Sequence, residues 1–187
     1  MKRAKIVWLV LLAASILTLV ESLSIRRVQA STFTVVTTAD NGNDASPTPG
    51  SLRQAIIFAN GSPGLDTINF NIPGPILNIP TIAPPSFLPV ITDSVIIDGT
   101  TQGLFGLVEL DGENAGSGVS GLILTGNGCV IEGLVINRFS NNGLTIAGSN
   151  NTIMDCYLGT DTSGTAALGN GNRGIFVNGS SLLPPIT

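Results

Sequence analysis

The sequence predicts an all-β chain built as a β-solenoid with one short helix near its start, and three observations carry that expectation. Gly is 23 of 187 residues and only 11% of residues are charged, a texture of short strands broken by turns. The second half repeats itself. Gly121-Leu122-Ile123-Leu124 returns as Gly143-Leu144-Thr145-Ile146, and Val130-Ile131-Glu132-Gly133-Leu134-Val135-Ile136 returns as Thr152-Ile153-Met154-Asp155-Cys156-Tyr157-Leu158, both after 22 positions. A third copy, Gly174-Ile175-Phe176-Val177, comes after 31, so nine extra residues sit around Gly159 to Asn172. The third observation is a single amphipathic helix, which must cover something apolar. A solenoid explains the spacing: no turn of chain buries its own apolar row, so turns stack about 4.8 Å apart and set Ile on Ile. An antiparallel sandwich also has short strands, but has no reason to keep a 22-residue period.

The elements follow in order. Residues 1–30 read as a signal peptide: Lys2, Arg3 and Lys5, then the apolar run Ile6 to Val20, then the small-residue site Val28-Gln29-Ala30 before Ser31. The run is short for a bilayer span, which needs about 20 apolar residues. An uncleaved anchor is the competing reading, suggested by the long stretch Glu21 to Gln29 with its Arg26-Arg27 pair. Either way the body is exported. Residues 31–89 hold an N-terminal strand, the helix and the first irregular turns. Thr32 to Thr38 alternates and is β-branched, a strand by pattern. Asp40 to Gly50 is a loop. Ser51 to Asn60 is helical: Ser51 and Gln54 form a capping box, Leu52, Ala55, Ile56 and Ala59 make one apolar stripe, and Asn60-Gly61 supplies the stop. Gly64 to Pro89 is Pro-rich and reads as short edge-like strands and turns. Residues 90–187 are solenoid rungs, with a rough echo of Val95-Ile96-Ile97-Asp98-Gly99 in Val108-Glu109-Leu110-Asp111-Gly112. After Asn178 the pattern breaks without a capping helix or a polar final rung. The expectation is an N-terminal piece of a longer protein, incomplete at its C-terminus, or a domain that self-associates through an uncapped end.

Composition removes whole classes of function. Beyond residue 30, Arg53, Arg138 and Arg173 face eleven carboxylates, and no Lys follows Lys5. Such a body cannot neutralise phosphates, so nucleic acid and anionic lipid are excluded as partners. The absence of His removes His-based acid–base chemistry, the Ser-His-Asp triad and His-ligated zinc. Cys129 and Cys156 fall about five residues apart on adjacent rungs, beyond disulfide reach, so both are expected free.

Ser51-Leu52-Arg53-Gln54-Ala55-Ile56, with Ala59-Asn60, resembles the "CSLREA" motif of exported bacterial right-handed parallel β-helix proteins of the pectin-lyase-like superfamily. Further segments are similar as well: Asp66-Thr67-Ile68-Asn69-Phe70, Leu88-Pro89-Val90-Ile91, Ile97-Asp98-Gly99-Thr100-Thr101-Gln102, Glu109-Leu110-Asp111-Gly112 and Ile131 to Phe139. The stretch Leu158 to Asn170 resembles an insertion common in these proteins. The chain departs at Gly50, where the motif has Cys, and at Gln54, where it has Glu. The resemblance spans nearly all of 31–180 and implies a right-handed parallel β-helix whose short N-terminal helix caps the open end. It implies little about activity.

On such folds, polysaccharide lyases are expected to pair Asp-bound calcium with an Arg or Lys base. Arg138 is the candidate base here, with Glu132 and Asp155 on neighbouring turns but offset by one register position. A guanidinium keeps its proton throughout the physiological pH range, which favours a structural ion pair instead. Asp40, Asp44 and Asp161 are the candidate calcium ligands, no other cofactor being implied; Asx turns explain the Asp40 loop equally well. Carbohydrate binding calls for exposed aromatic faces. The seven Phe residues read as core stacks instead. The functional expectation is an exported cell-surface module with a scaffold or adhesin-like role and no catalysis in this chain. Carbohydrate or other cell-surface components are its expected partners. The alternative is the N-terminal part of a polysaccharide lyase-like enzyme.

Overall fold

The computed structural model describes residues 29–75 and 77–178. The leader expected over 1–30 lies outside them, save for Gln29 and Ala30, and so does everything after residue 178. Twelve strands and one α-helix make up the described part: β1 (Thr32–Val35), α1 (Leu52–Gly61), β2 (Asp66–Phe70), β3 (Thr81–Ile82), β4 (Val95–Asp98), β5 (Val108–Asp111), β6 (Leu122–Leu124), β7 (Val130–Glu132), β8 (Leu134–Asn137), β9 (Leu144–Ile146), β10 (Thr152–Met154), β11 (Tyr157–Leu158) and β12 (Ile175–Val177). They form three parallel sheets, ordered β1-β2-β4-β7-β10, β11-β8-β5-β3 and β12-β9-β6. No helix among the described residues is long and apolar enough to cross a membrane.

Register follows apolar rows. In the first sheet Phe33, Ile68, Ile97, Ile131 and Ile153 are successive partners and point to the interior. In the second, Ile82, Leu110, Ile136 and Leu158 do the same. In the third, Leu122 and Leu144 lead to Ile175. A one-residue slip would turn each row outward, and burying one such side chain contributes about 1.5–3 kcal/mol, so the register is strongly specified. The 22-residue offset read from the sequence is the offset of β10 from β7, β11 from β8 and β9 from β6. The 31-residue offset is that of β12 from β9. Earlier partners are spaced irregularly: Ile96 meets Val130 and Val108 meets Leu134. The echo between Val95–Asp98 and Val108–Asp111 is therefore not a stacking relation, since these strands belong to different sheets.

The helix keeps its expected stripe, with Leu52, Ala55, Ile56 and Ala59 buried, and packs against β1 and β2. Ser51 Oγ accepts from Gln54 N–H at 3.2 Å, while the reciprocal bond runs from Gly50 N–H to Gln54 Oε1 at 2.8 Å, one residue before the usual place. Gly61 is the last helical residue, without the left-handed angle of a Gly stop, and Ser62 caps instead. Asn60 has another use: Nδ2 donates to the Val90 carbonyl and Oδ1 accepts from Thr92 N–H, at 2.7 and 2.9 Å. Two expectations are corrected. β2 is no edge strand; it lies between β1 and β4, because the prolines of this zone fall after residue 72 and leave its ladder whole. The Phe residues are core stacks only in part: Phe70 and Phe139 are buried and Phe33 is partly buried on the inner row, but Phe58, Phe87 and Phe105 are exposed on the helix and loops.

Candidate functional site

On β5 and β8 alternation sends Leu110 and Ile136 inward, which sends Glu109, Asp111 and Asn137 to the outer face of the second sheet. That face is covered: Glu109, Asp111, Val135 and Asn137 are all buried. The cover is the insertion after β11. Thr160 and Ala167 pair antiparallel, Leu168 N–H donates to the Gly159 carbonyl, and Gly164 lies against the Tyr157 ring. Beneath it, Glu109 accepts from Thr81 Oγ1 at 2.6 Å and from Asn137 Nδ2 at 2.9 Å; the same amide also donates to the Thr160 carbonyl at 2.8 Å. Arg138 grips Asp111 with two bonds, Nε to Oδ1 at 2.8 Å and Nη2 to Oδ2 at 2.6 Å. Glu109 Oε1 lies 3.9 Å from the same Nη2.

Arg138 itself exits β8 with φ of 58°, a left-handed backbone that costs a non-glycine residue about 1–2 kcal/mol. The angle aims its guanidinium back along the face. The bonds to Asp111 push its pKa further up, more than burial pulls it down, with the charges of Asp111, Glu109 and Glu113 adding to the rise. A general base must give up its proton, and this geometry holds the proton on. The Asp111–Asn137–Glu109 pairing was not legible in the sequence. Polar residues at alternate strand positions are the ordinary outer face of a sheet, and only the returning loop makes this one interior.

The expected calcium ligands are occupied with other work. Asp40 Oδ1 accepts from Arg53 Nε at 2.7 Å, and Asp44 Oδ1 from Arg53 Nη1 at 2.6 Å. Arg53, although on the helix, is 1% exposed and also donates to the Phe87 carbonyl. Burial lowers its pKa, but the bonds and charges of the two carboxylates together raise it. The same loop is built of Asx turns, with Gly42, Asn43 and Ala45 N–H groups donating to Asp40, Asn41 and Asn43 side chains. Asp161 organises its own loop, accepting from Thr165 and Ala166 N–H groups and from Ser163 Oγ, bonds that hold its carboxyl below the ordinary range. No group of three or more metal-ligating side chains forms among the described residues.

Asp98 and Glu132 are register partners on the outer face of the first sheet. Burial pushes Glu132 up, and the charges of Asp98 and Asp155 push it further. The one-position offset does not isolate Asp155, since its left-handed backbone (φ 49°) breaks the alternation. Arg138 is not part of this acidic row; its carboxylates are Asp111 and Glu109.

One cleft of about 550 Å³ opens beside β3, between the Pro-rich 71–81 segment and residues 102–107. No charged side chain of the described residues lines it. Asn71, Asn78 and Thr38 contribute polar groups, and Phe105 and Leu104 are 48% and 70% exposed. Thr81 joins its wall while donating to Glu109, so the cleft abuts the covered network. Sequence reasoning missed this site because Phe105 belongs to no strand pattern. Cys129 and Cys156 are free, and burial raises both thiols. No protein-family model, no curated protein and no solved structure matches the chain.

Proposed function

We propose that the three parallel sheets are the faces of one right-handed parallel β-helix capped by α1, and that the chain is an exported cell-surface scaffold with an adhesin-like role. The observation that supports binding over catalysis is the neutral cleft beside β3. A saccharide needs hydroxyl and amide partners and an apolar face to stack on, and Asn71, Asn78 and the exposed Phe105 provide them. Its ligand class is a neutral glycan. Arg138 speaks for the same reading, because the proton that a lyase base would surrender is bonded to Asp111. The scaffold role is supported by the far end of the stack. β10, β11 and β12 are edge strands among the described residues, and Ile175 and Val177 are exposed there at inward-row positions. A second copy stacked on this edge would pair its strands and cover its apolar row.

The test is binding of neutral oligosaccharides by calorimetry, beside release of unsaturated uronides from polyuronates with calcium present. Binding without turnover is the expected result. Phe105→Ala should weaken it about fivefold, the equivalent of about 1 kcal/mol for an aromatic contact. Uronide release that disappears in Arg138→Ala would establish the lyase alternative instead.

A further inference from the structure

Asp66 opens β2 on the inward side, in line with Ile68 and Phe70, and its side chain is wholly buried. Oδ1 accepts from the Ser31 N–H at 2.7 Å and from Ser62 Oγ at 3.3 Å. Oδ2 is buried without a partner among the described residues. One amide N–H and one hydroxyl are a poor set for a carboxylate out of water, which ordinarily keeps its charge only beside a cation. No side chain of the described residues supplies one. Arg53 is bound to Asp40 and Asp44, Arg138 to Asp111, and Arg173 lies over the Phe176 ring at 5.0 Å. No lysine follows Lys5. With the leader and its Lys2, Arg3, Lys5, Arg26 and Arg27 cut away, the one further cation left to the described residues is the new α-ammonium, and the atom already on Asp66 is a backbone nitrogen.

That nitrogen belongs to the residue after Val28-Gln29-Ala30, the small-residue site read from the sequence. Gln29 and Ala30 are exposed, whereas Ser31 is tied down at once: its carbonyl accepts from Thr67 N–H at 2.8 Å and its Oγ lies 3.0 Å from Ser62 Oγ. We infer that hydrolysis of the Ala30–Ser31 bond completes this site, the new α-ammonium of Ser31 seating on buried Asp66 and locking β1 to β2 at the helix-covered end. Water adds across the peptide bond under a processing peptidase of the exporting host; Ala30 leaves with the carboxylate, and Ser31 keeps the amine and takes the proton. One neutral donor becomes three charged ones, enough to serve Oδ2 and Ser62 as well. The inference rests on the export reading, since it needs cleavage at that bond.

The full chain is expressed in an exporting bacterium and the product's N-terminus is sequenced. A product that begins at Ser31 contains a single amine, so acetylation by an N-hydroxysuccinimide ester, followed as one added acetyl group by intact mass, reports on that group alone. The native protein should label about tenfold more slowly than the urea-unfolded protein, corresponding to a rise of about one unit above the ordinary α-amino value near 8. Asp66→Asn should remove the protection. A second variant with one Ala inserted between Ala30 and Ser31 covers the case in which Asp66→Asn fails to fold. It keeps the Ser31 amide on Asp66, moves the charge about 3.8 Å along the chain and should also label at the unfolded rate. Wild-type thermal stability should be full below pH about 8 and fall as pH rises through the raised value, a decline the insertion variant lacks. A product that begins at Ser31 and labels equally fast folded and unfolded overturns the lock while leaving export intact. A product that keeps its leader or begins elsewhere overturns the lock, and its recovery inside or outside the cytoplasm decides the export reading separately.

Discussion

Arg53 occupies a helix position that the apolar stripe leaves out, yet its side chain is 1% exposed and holds two carboxylates and a carbonyl. Its partner Asp40 is equally buried, so Arg53→Ala strands a charge. We expect a loss of about 3 kcal/mol by urea denaturation. Arg53→Lys should recover only part of this, because an ammonium cannot reproduce the guanidinium fork. Glu132 behaves in the opposite sense. Its carboxyl is raised by burial and by Asp98 and Asp155, so the folded state prefers it protonated. The stability it contributes is present below the ordinary Glu value and is lost as pH rises through the raised one. Glu132→Gln should therefore raise the melting temperature at pH 7 and leave it unchanged below pH about 4, as calorimetry at the two pH values would show.

Elements here are stitched at their ends. Ser51 caps α1 from the residue before the helix, and Ser51→Ala should cost about 1 kcal/mol in the same denaturation assay, with Ser51→Gly costing less. Gly133 separates β7 from β8 with φ of 66°, and a Cβ there would meet Thr100 N at 2.5 Å. Gly133→Ala thus combines a left-handed backbone with a clash against rigid main chain. We expect a cost of about 3 kcal/mol, well above that of Gly169→Ala, where a Cβ meets nothing. The corner is tight because the Gly99 turn of the strand-paired neighbour passes directly against it.

At the scale of the molecule, three parallel sheets share one interior and end on β10, β11 and β12 among the described residues. Ile153, Cys156 and Leu158 are only partly buried there, and Val177 is 64% exposed. If this edge joins a second copy, sedimentation should show concentration-dependent association. Replacing Ile175 and Val177 together with Lys should abolish it without altering the circular dichroism spectrum, since both side chains already meet water.

Periodicity alone determined the strand partners from β6 onward, the helix and its cap, because apolar rows at fixed spacing have one economical way to leave water. The basicity of a guanidinium favoured for Arg138, at the end of a rung, a structural ion pair with a solvent-side carboxylate; the pair forms with Asp111, which is buried. Tertiary structure decided the rest. The covered Glu109–Asn137 network exists only because the insertion after β11 folds back over a face that local alternation marks as solvent-exposed. Asp40 and Asp44 meet Arg53 across 9 to 13 residues of loop and helix, a distance at which spacing carries no signal. Asp66 and Ser31 are 35 positions apart, brought together by the pairing of β1 with β2. A polar residue acquires its role from what is packed over it, and that neighbour is chosen by the chain's long-range path rather than by its local pattern.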